Sequence, residues 1–138
     1  MSVRIGLIVL SLGAFIFSGC GNSDEIPAAT LENGKKAYLA YCQSCHMEDG
    51  SGVPGLNAPL IESKYASGDK KKLIEIALQG SAAFANGPER PYKNLMPSMA
   101  NLTDTQVADA LTYIRNNFKN EGSVITPEEV RLEREKSN

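Results

Sequence analysis

The stretch YCQSCHMEDG (41–50) constrains this chain more than any other, because residues 42–46 bring together three side chains that bind metals or undergo redox chemistry. Cys42 and Cys45 are three positions apart, and His46 is the single histidine among 138 residues. A redox dithiol, a structural disulfide, a zinc site and the attachment point of a larger cofactor all use such residues. The context of the motif must decide between them.

The first three of these interpretations are disfavoured by context. A closed zinc site requires four ligands, usually as two separated pairs, but the remaining cysteine, Cys20, lies in the N-terminal apolar region and no second histidine is present. A thioredoxin-like dithiol begins a helix that follows a buried strand, whereas this pair ends a helical stretch. A disulfide between Cys42 and Cys45 would close a loop too small to contribute much stability.

The remaining interpretation is that CxxCH attaches one covalent haem c. Two thiols at this spacing lie on one side of a helical turn and can add to the two vinyl groups of one porphyrin edge. The imidazole of His46 then points at the iron. Because there is no second histidine, a distal ligand from the chain is expected to be methionine. Met96 and Met99 are the candidates, since Met47 adjoins His46 and cannot reach the opposite face.

The N-terminus has the features of an export signal. Arg4 precedes a 13-residue apolar run, 5–17, which is too short to cross a bilayer core of about 30 Å but is typical of a signal-peptide core. The run ends in FSGC (17–20), which resembles the lipobox of bacterial lipoproteins. That resemblance implies lipid on Cys20.

We therefore expect a lipoprotein signal peptide over 1–19 and a lipidated cysteine with a flexible tether over 20–30. The protein would be exported and anchored to a membrane through lipid, facing the periplasm or the outer surface. An ordinary cleaved signal and an uncleaved membrane anchor are the alternatives. All of them place the domain outside the cytoplasm.

Three stretches have helical periodicity, and no alternating strand pattern of useful length is present. The first, 31–42, runs directly into the cysteine motif. The second, 69–80, has Asp69 as its N-cap and Gly80 as its stop. The third begins with a capping box from Thr103 to Gln106 and continues in an apolar stripe. The stripe consists of Val107, Leu111, Ile114 and Phe118.

Two long loops, 47–66 and 81–102, separate these helices. Loops of that length in a small domain usually have a functional reason, and 7% aromatic residues without tryptophan supply limited apolar area. A large apolar cofactor would complete the core. The polar extension 119–138 has a capping box at Thr126 but a thin apolar stripe, which predicts a short exposed helix or a disordered end.

With these motifs, residues 31–118 resemble the class I monohaem cytochromes c. The resemblance rests on GKKAYLAYCQSCH (34–46), DGSGVPGLNAPL (49–60) and MPSMANLTDTQVADALTYIRNNF (96–118). It implies an all-α, class I cytochrome c fold, in which three to four helices and long loops wrap around one covalently attached haem.

The resemblance also assigns roles to further residues. The methionine before a proline is the family's distal ligand, which here is Met96, with Met99 as the alternative. Pro59 matches the family proline whose carbonyl accepts a hydrogen bond from the proximal imidazole, with Pro54 as a weaker candidate and a simple loop proline as the alternative. Tyr92 is assigned to the distal side of the haem, with a surface position as the alternative.

Ligation by histidine and methionine fills both axial positions, which predicts a one-electron carrier with no organic substrate and no catalytic residues. Redox proteins of a respiratory or other extracytoplasmic chain are the expected partners. A cytochrome subunit of a larger dehydrogenase or reductase, and a haem sensor or enzyme that binds small ligands, are the alternatives. With 16 acidic and 14 basic side chains the sequence has no basic stripe, so nucleic acid is not an expected partner.

Overall fold

The computed structural model describes residues 25–84 and 92–137. Within them the chain forms five α-helices, and a 3₁₀ turn at Gly80–Phe84 continues the third. These helices are α1 (Ala28–Tyr41), α2 (Gln43–His46), α3 (Lys70–Gln79), α4 (Asp104–Arg115) and α5 (Pro127–Lys136). The predicted all-α class is confirmed. The described residues form one helix more than the expected three to four, because the cysteine motif forms the short helix α2 and the C-terminal extension forms α5.

The predicted signal peptide 1–19 and the lipidation site Cys20 lie outside the described residues, as do residues 21–24 of the tether and 85–91 of the second long loop. Residues 28–30, expected to belong to the flexible tether, instead form the first turn of α1, which begins three residues before the predicted start at Leu31. Among the described helices, none has the length and apolar character needed to cross a bilayer.

Side-chain caps determine where α3 and α4 begin, as predicted. The carboxylate of Asp69 accepts a hydrogen bond from the backbone N–H of Lys72 at 2.9 Å, and α3 ends at Gly80 with φ 60°. At α4, Thr103 Oγ1 accepts from Gln106 N at 3.2 Å while Gln106 Oε1 accepts from Thr103 N at 3.0 Å. Each bond satisfies an N–H group that the helix itself leaves without a partner.

Helices α1 and α4 cross at Gly34, where their backbones approach closely. A Cβ atom at this position would lie 2.2 Å from the carbonyl oxygen of Asp109 and 2.7 Å from Tyr113 Cβ. One turn later Tyr38 is fully buried, with ring centroids 5.7 Å from Tyr113 and 5.1 Å from Phe118. This contact fixes the direction in which α1 runs into the cysteine motif.

The core lies between α1, α3, α4 and α5. Three members of the predicted α4 stripe, Val107, Leu111 and Ile114, are buried. The fourth, Phe118, lies beyond the end of the helix, where its backbone has a φ of 55°. Its partly buried side chain packs against the core. The buried apolar surface formed by the stripe therefore extends beyond the end of α4.

The C-terminal extension forms a helix, but this helix is docked against the core and is not an exposed one as expected. Val130 is fully buried, and Ile125, which precedes the helix, is 1% exposed. Thr112 Oγ1 of α4 accepts a hydrogen bond from Ile125 N at 2.9 Å, and Lys70 of α3 forms a 2.9 Å ion pair with Glu129. Only Val130 is buried within α5, because Ile125, which precedes the helix, supplies the other buried apolar side chain of this contact.

Arg115 is a buried cation that the sequence did not single out. The residue is 4% exposed, and its guanidinium donates to the carbonyl oxygens of Ala66 at 2.8 Å, Gly68 at 3.0 Å and Ser123 at 3.1 Å. Burial lowers the pKa of Arg115, although the charges of acidic groups oppose this effect. The side chain joins the end of α4 to the loop that precedes α3.

Candidate haem site

Cys42 follows the end of α1, and Cys45 and His46 lie in α2, so the three residues share one helical turn. The backbone N–H of Cys42 donates to Tyr38 O at 2.8 Å, and the carbonyl of Cys42 accepts from His46 N at 3.0 Å. Both thiols are unpaired and half-buried. The structure thus brings together the three residues that the motif predicted, on the segment that the α1–α4 crossing holds in place.

The protonation of Cys42 argues against a redox dithiol. Burial, and then the proximity of Cys45, raise the pKa of the Cys42 thiol to about 11. Redox-active cysteine pairs have the opposite property, a lowered pKa that makes the thiolate available as a nucleophile. Within residues 25–84 and 92–137, moreover, no group of three or more His, Cys, Asp or Glu side chains is placed to hold a metal ion.

The imidazole of His46 is oriented by a backbone carbonyl. Its Nδ1 donates a hydrogen bond to the carbonyl oxygen of Ala58 at 2.8 Å, which leaves Nε2 as the nitrogen with a free lone pair. Burial lowers the pKa of His46, and this effect outweighs the opposing hydrogen bond to Ala58. The side chain is therefore neutral at neutral pH, which is the form that can bind a metal.

The carbonyl that orients His46 belongs to Ala58, so the assignment of this role to Pro59 or Pro54 is wrong. The acceptor is set by a tight turn in which the backbone N–H of Gly52 donates to His46 O at 3.0 Å. Gly52 has φ 64°, and a Cβ atom there would lie 2.6 Å from the carbonyl oxygens of Asn57 and Ala58. The absence of a side chain at Gly52 lets the loop return to His46 one residue before the proline.

Met47 ends α2 in an unusual backbone conformation. Its φ of 64° lies in the left-handed region, which costs a residue with a side chain about 1 kcal/mol or more. The carbonyl of Met47 accepts hydrogen bonds from the hydroxyl of Tyr38 and the N–H of Gly50. These contacts hold the chain in the reversal that follows the histidine.

Met96 is held through its backbone and is separate from the hydrophobic core. Its N–H donates to Ser81 Oγ at 2.8 Å, and its carbonyl accepts from Ser81 N at 2.9 Å. A Cβ atom on Gly80 would lie 2.3 Å from Met96 O, so the two segments are in direct contact. Ser81 was not predicted. Its signal in the sequence is only that it follows the glycine that ends α3.

Met99 is placed differently from Met96. Its side chain packs against the hydrophobic core, and its backbone N–H donates to the carbonyl of Ala77 in α3 at 3.0 Å. Met96 is half-buried and is not among the residues of that core. Of the two candidate distal ligands, Met99 is therefore the one whose side chain packs on the core.

Tyr92 is half-buried and adjoins residues 85–91, which the structure does not describe. The segment that follows it is attached to the loop after His46, since Asn94 N donates to Leu56 O at 3.0 Å. Next to Met96, Leu95 is 66% exposed, the highest value among the large apolar side chains that the structure describes. The assignment of Tyr92 to the distal side stays a prediction.

An all-α domain with two unpaired cysteines and an oriented, neutral histidine in CxxCH order is a c-type haem protein. Residues 31–118 match the family model described as Cytochrome c. The chain therefore belongs to the cytochrome c family, and its helical domain is the class I fold that the sequence predicted. Its cofactor is a covalently attached haem c.

Three relatives illustrate this similarity. Cytochrome c-555 of Prosthecochloris aestuarii is 35% identical over 95 residues, which is 67% of this chain and 92% of the relative. Cytochrome c-552 of Thermus thermophilus is 32% identical over 91 residues, 63% of this chain and 61% of the relative. The cytochrome c subunit of the quinone alcohol dehydrogenase of Gluconobacter oxydans is 27% identical over 88 residues, 63% of this chain and 18% of the relative. The match thus covers about three fifths of the Thermus relative.

Proposed function

We propose that this protein is a one-electron carrier of a respiratory or other extracytoplasmic redox chain, with redox proteins as its partners. The observation that carries the proposal is the state of His46, whose Nδ1 is occupied by Ala58 O while burial keeps the ring neutral. When bound, the haem supplies a reversible one-electron change at iron.

The residues of the chain have separate roles in this proposal. Cys42 and Cys45 would hold the haem through thioether bonds, and Nε2 of His46 would bind one axial position. The sulfur of Met96 would bind the other, which leaves no position open to a substrate. The assignment of Met96 is supported by its separation from the core, because the alternative, Met99, packs there.

Electron transfer is favoured when the ligands keep their positions in both oxidation states. The hydrogen bond from His46 to Ala58 restrains the ring, and the two bonds between Ser81 and Met96 restrain the backbone of the proposed distal ligand. The first restraint has a backbone carbonyl as its acceptor, and the second joins both backbone groups of Met96 to the hydroxyl and the backbone N–H of Ser81.

Two methionine substitutions test the assignment. Met96→Ala should abolish the sulfur-to-iron charge-transfer absorption of the oxidised protein and lower its reduction potential, because methionine ligation raises that potential. Met99→Ala should retain the absorption and lose stability instead, since Met99 packs on the core. The reverse pattern would move the distal ligand to Met99. A pyridine haemochrome without covalent haem would refute the proposal as a whole.

A role as the cytochrome subunit of a larger dehydrogenase or reductase is a second candidate. It is supported by the similarity to the Gluconobacter subunit. A stable complex recovered after mild detergent extraction would favour this role, whereas recovery of the cytochrome alone would favour a free carrier.

We also propose that the protein is exported and anchored through lipid on Cys20. Support comes from the apolar run 5–17 and the FSGC sequence at 17–20. The variant Cys20→Ser should move the haem protein from the membrane fraction to the soluble fraction. Retention of this variant in the membrane would contradict lipidation at Cys20.

A further inference from the structure

Arg134 of α5 contacts the segment that follows Met96. Its guanidinium donates to the carbonyl of Ala100 at 2.6 Å, to the carbonyl of Leu102 at 2.9 Å and to the carboxylate of Asp104 at 2.8 Å. The side chain of Arg134 is 24% exposed. A planar guanidinium suits this arrangement because its donors point in fixed directions and can bind several acceptors at once.

The opposite side of the same segment is held by α3 and the turn that follows it. Ser98 Oγ donates to the carbonyl of Leu78, and Met99 N donates to the carbonyl of Ala77. Together with the bonds between Ser81 and Met96, these contacts leave residues 96–102 clamped between the end of α3 and Arg134.

Helix α5 is anchored firmly enough to act as one side of this clamp. Val130 is fully buried, so the middle of the helix is part of the core. Glu129 pairs with Lys70 at the start of α3 at 2.9 Å, and Gln79 at the end of α3 donates to Ser137 Oγ at 3.2 Å. The helix therefore spans α3, whose C-terminal end is the other side of the clamp.

We propose that Arg134 is a positioning residue for the distal methionine. By fixing the carbonyls of Ala100 and Leu102 it holds the course of residues 96–102, and so keeps the sulfur of Met96 on the iron. Helix α5 thereby becomes a support of the haem ligand as well as of the core. The inference rests on the proposed function, and specifically on Met96 as the ligand.

The test is competition by imidazole for the distal position of the oxidised holoprotein, followed by loss of the sulfur-to-iron charge-transfer absorption. In Arg134→Ala, half-displacement should require an imidazole concentration about tenfold lower than in the unmodified protein, because charge-assisted hydrogen bonds that hold the ligand segment are lost. This readout reports the strength of methionine ligation and does not depend on electron-transfer activity.

Arg131→Ala is the matched control. Arg131 lies on the same helix, but its ion pairs are with Glu128 and Glu135 of α5 itself. Half-displacement in this variant should stay within about twofold of the unmodified protein, as expected for an exposed pair. Asp104→Asn should behave likewise, since it removes the ion pair of Arg134 and leaves both carbonyl contacts available.

Arg134→Lys keeps the charge but loses the forked geometry, and it serves if the alanine variant does not fold. It should shift half-displacement in the same direction by about threefold. The inference is overturned if Arg134→Ala or Arg134→Lys matches Arg131→Ala, or if Asp104→Asn shifts as far as Arg134→Ala. Failure of the Met96 assignment is distinguishable, because Met96→Ala would then retain the charge-transfer absorption while Arg134 is unchanged.

Discussion

Replacing Gly34 by alanine should destabilise the protein, although alanine is the better helix former by about 1 kcal/mol. The added Cβ would lie 2.2 Å from Asp109 O, 2.8 Å from Asp109 C and 2.7 Å from Tyr113 Cβ. All three atoms belong to α4 and cannot move aside by a change of rotamer. Overpacking of this kind costs about 1 to 3 kcal/mol, and contacts this short place it near 3. After the gain in helix propensity, a net loss of about 2 kcal/mol is expected.

The assay is guanidinium unfolding of the oxidised holoprotein, followed by far-UV circular dichroism and by haem absorption. Lys35→Ala is the control, because Lys35 is the next residue of α1 and is exposed. It should change the free energy of unfolding by less than about 0.5 kcal/mol. If Gly34→Ala is as stable as the unmodified protein, or more stable, helix propensity has prevailed and the close crossing of α1 and α4 is refuted.

Two further predictions concern α5. Val130→Ala should lower the free energy of unfolding by about 2 kcal/mol, because Val130 is fully buried. Leu132→Ala should lower it by less than about 0.5 kcal/mol, since Leu132 is 43% exposed. Equal losses in denaturant unfolding would contradict the docked helix. For Glu129, burial raises the pKa, but hydrogen bonds from Thr126 and the pairing with Lys70 prevail and the pKa is lowered from 4.5. The charge of Glu129 therefore stabilises the fold above the unfolded pKa, and this contribution is lost as pH falls through the folded pKa. Glu129→Gln should be less stable by under about 1 kcal/mol at neutral pH and no less stable in acid, and a difference that does not change with pH would contradict the assignment.

Much of the candidate site was predictable because its signals are local. The CxxCH spacing places three side chains on one helical turn, and Asp69 and Thr103 cap helices within three residues of their own positions. The residues that support the site were harder to predict. Ala58 contributes only a carbonyl, which every residue has, so no side-chain pattern could distinguish it from Pro59. Arg134 contacts residues about thirty positions earlier in the chain, and nothing near it in sequence indicates those partners.

By itself, the sequence determined the helical class, the capped starts of α3, α4 and α5, the CxxCH turn and the choice of methionine as the candidate for the distal ligand. Each of these depends on residues a few positions apart or on the count of a residue type. Only the tertiary structure decided that Ala58 orients His46, that Met99 packs on the core, and that the polar C-terminal extension docks there through Val130. These outcomes depend on how closely separate segments approach, and close approach is set by features such as the missing side chain of Gly52. Packing of distant segments is a property of the whole fold, and local patterns carry little information about it.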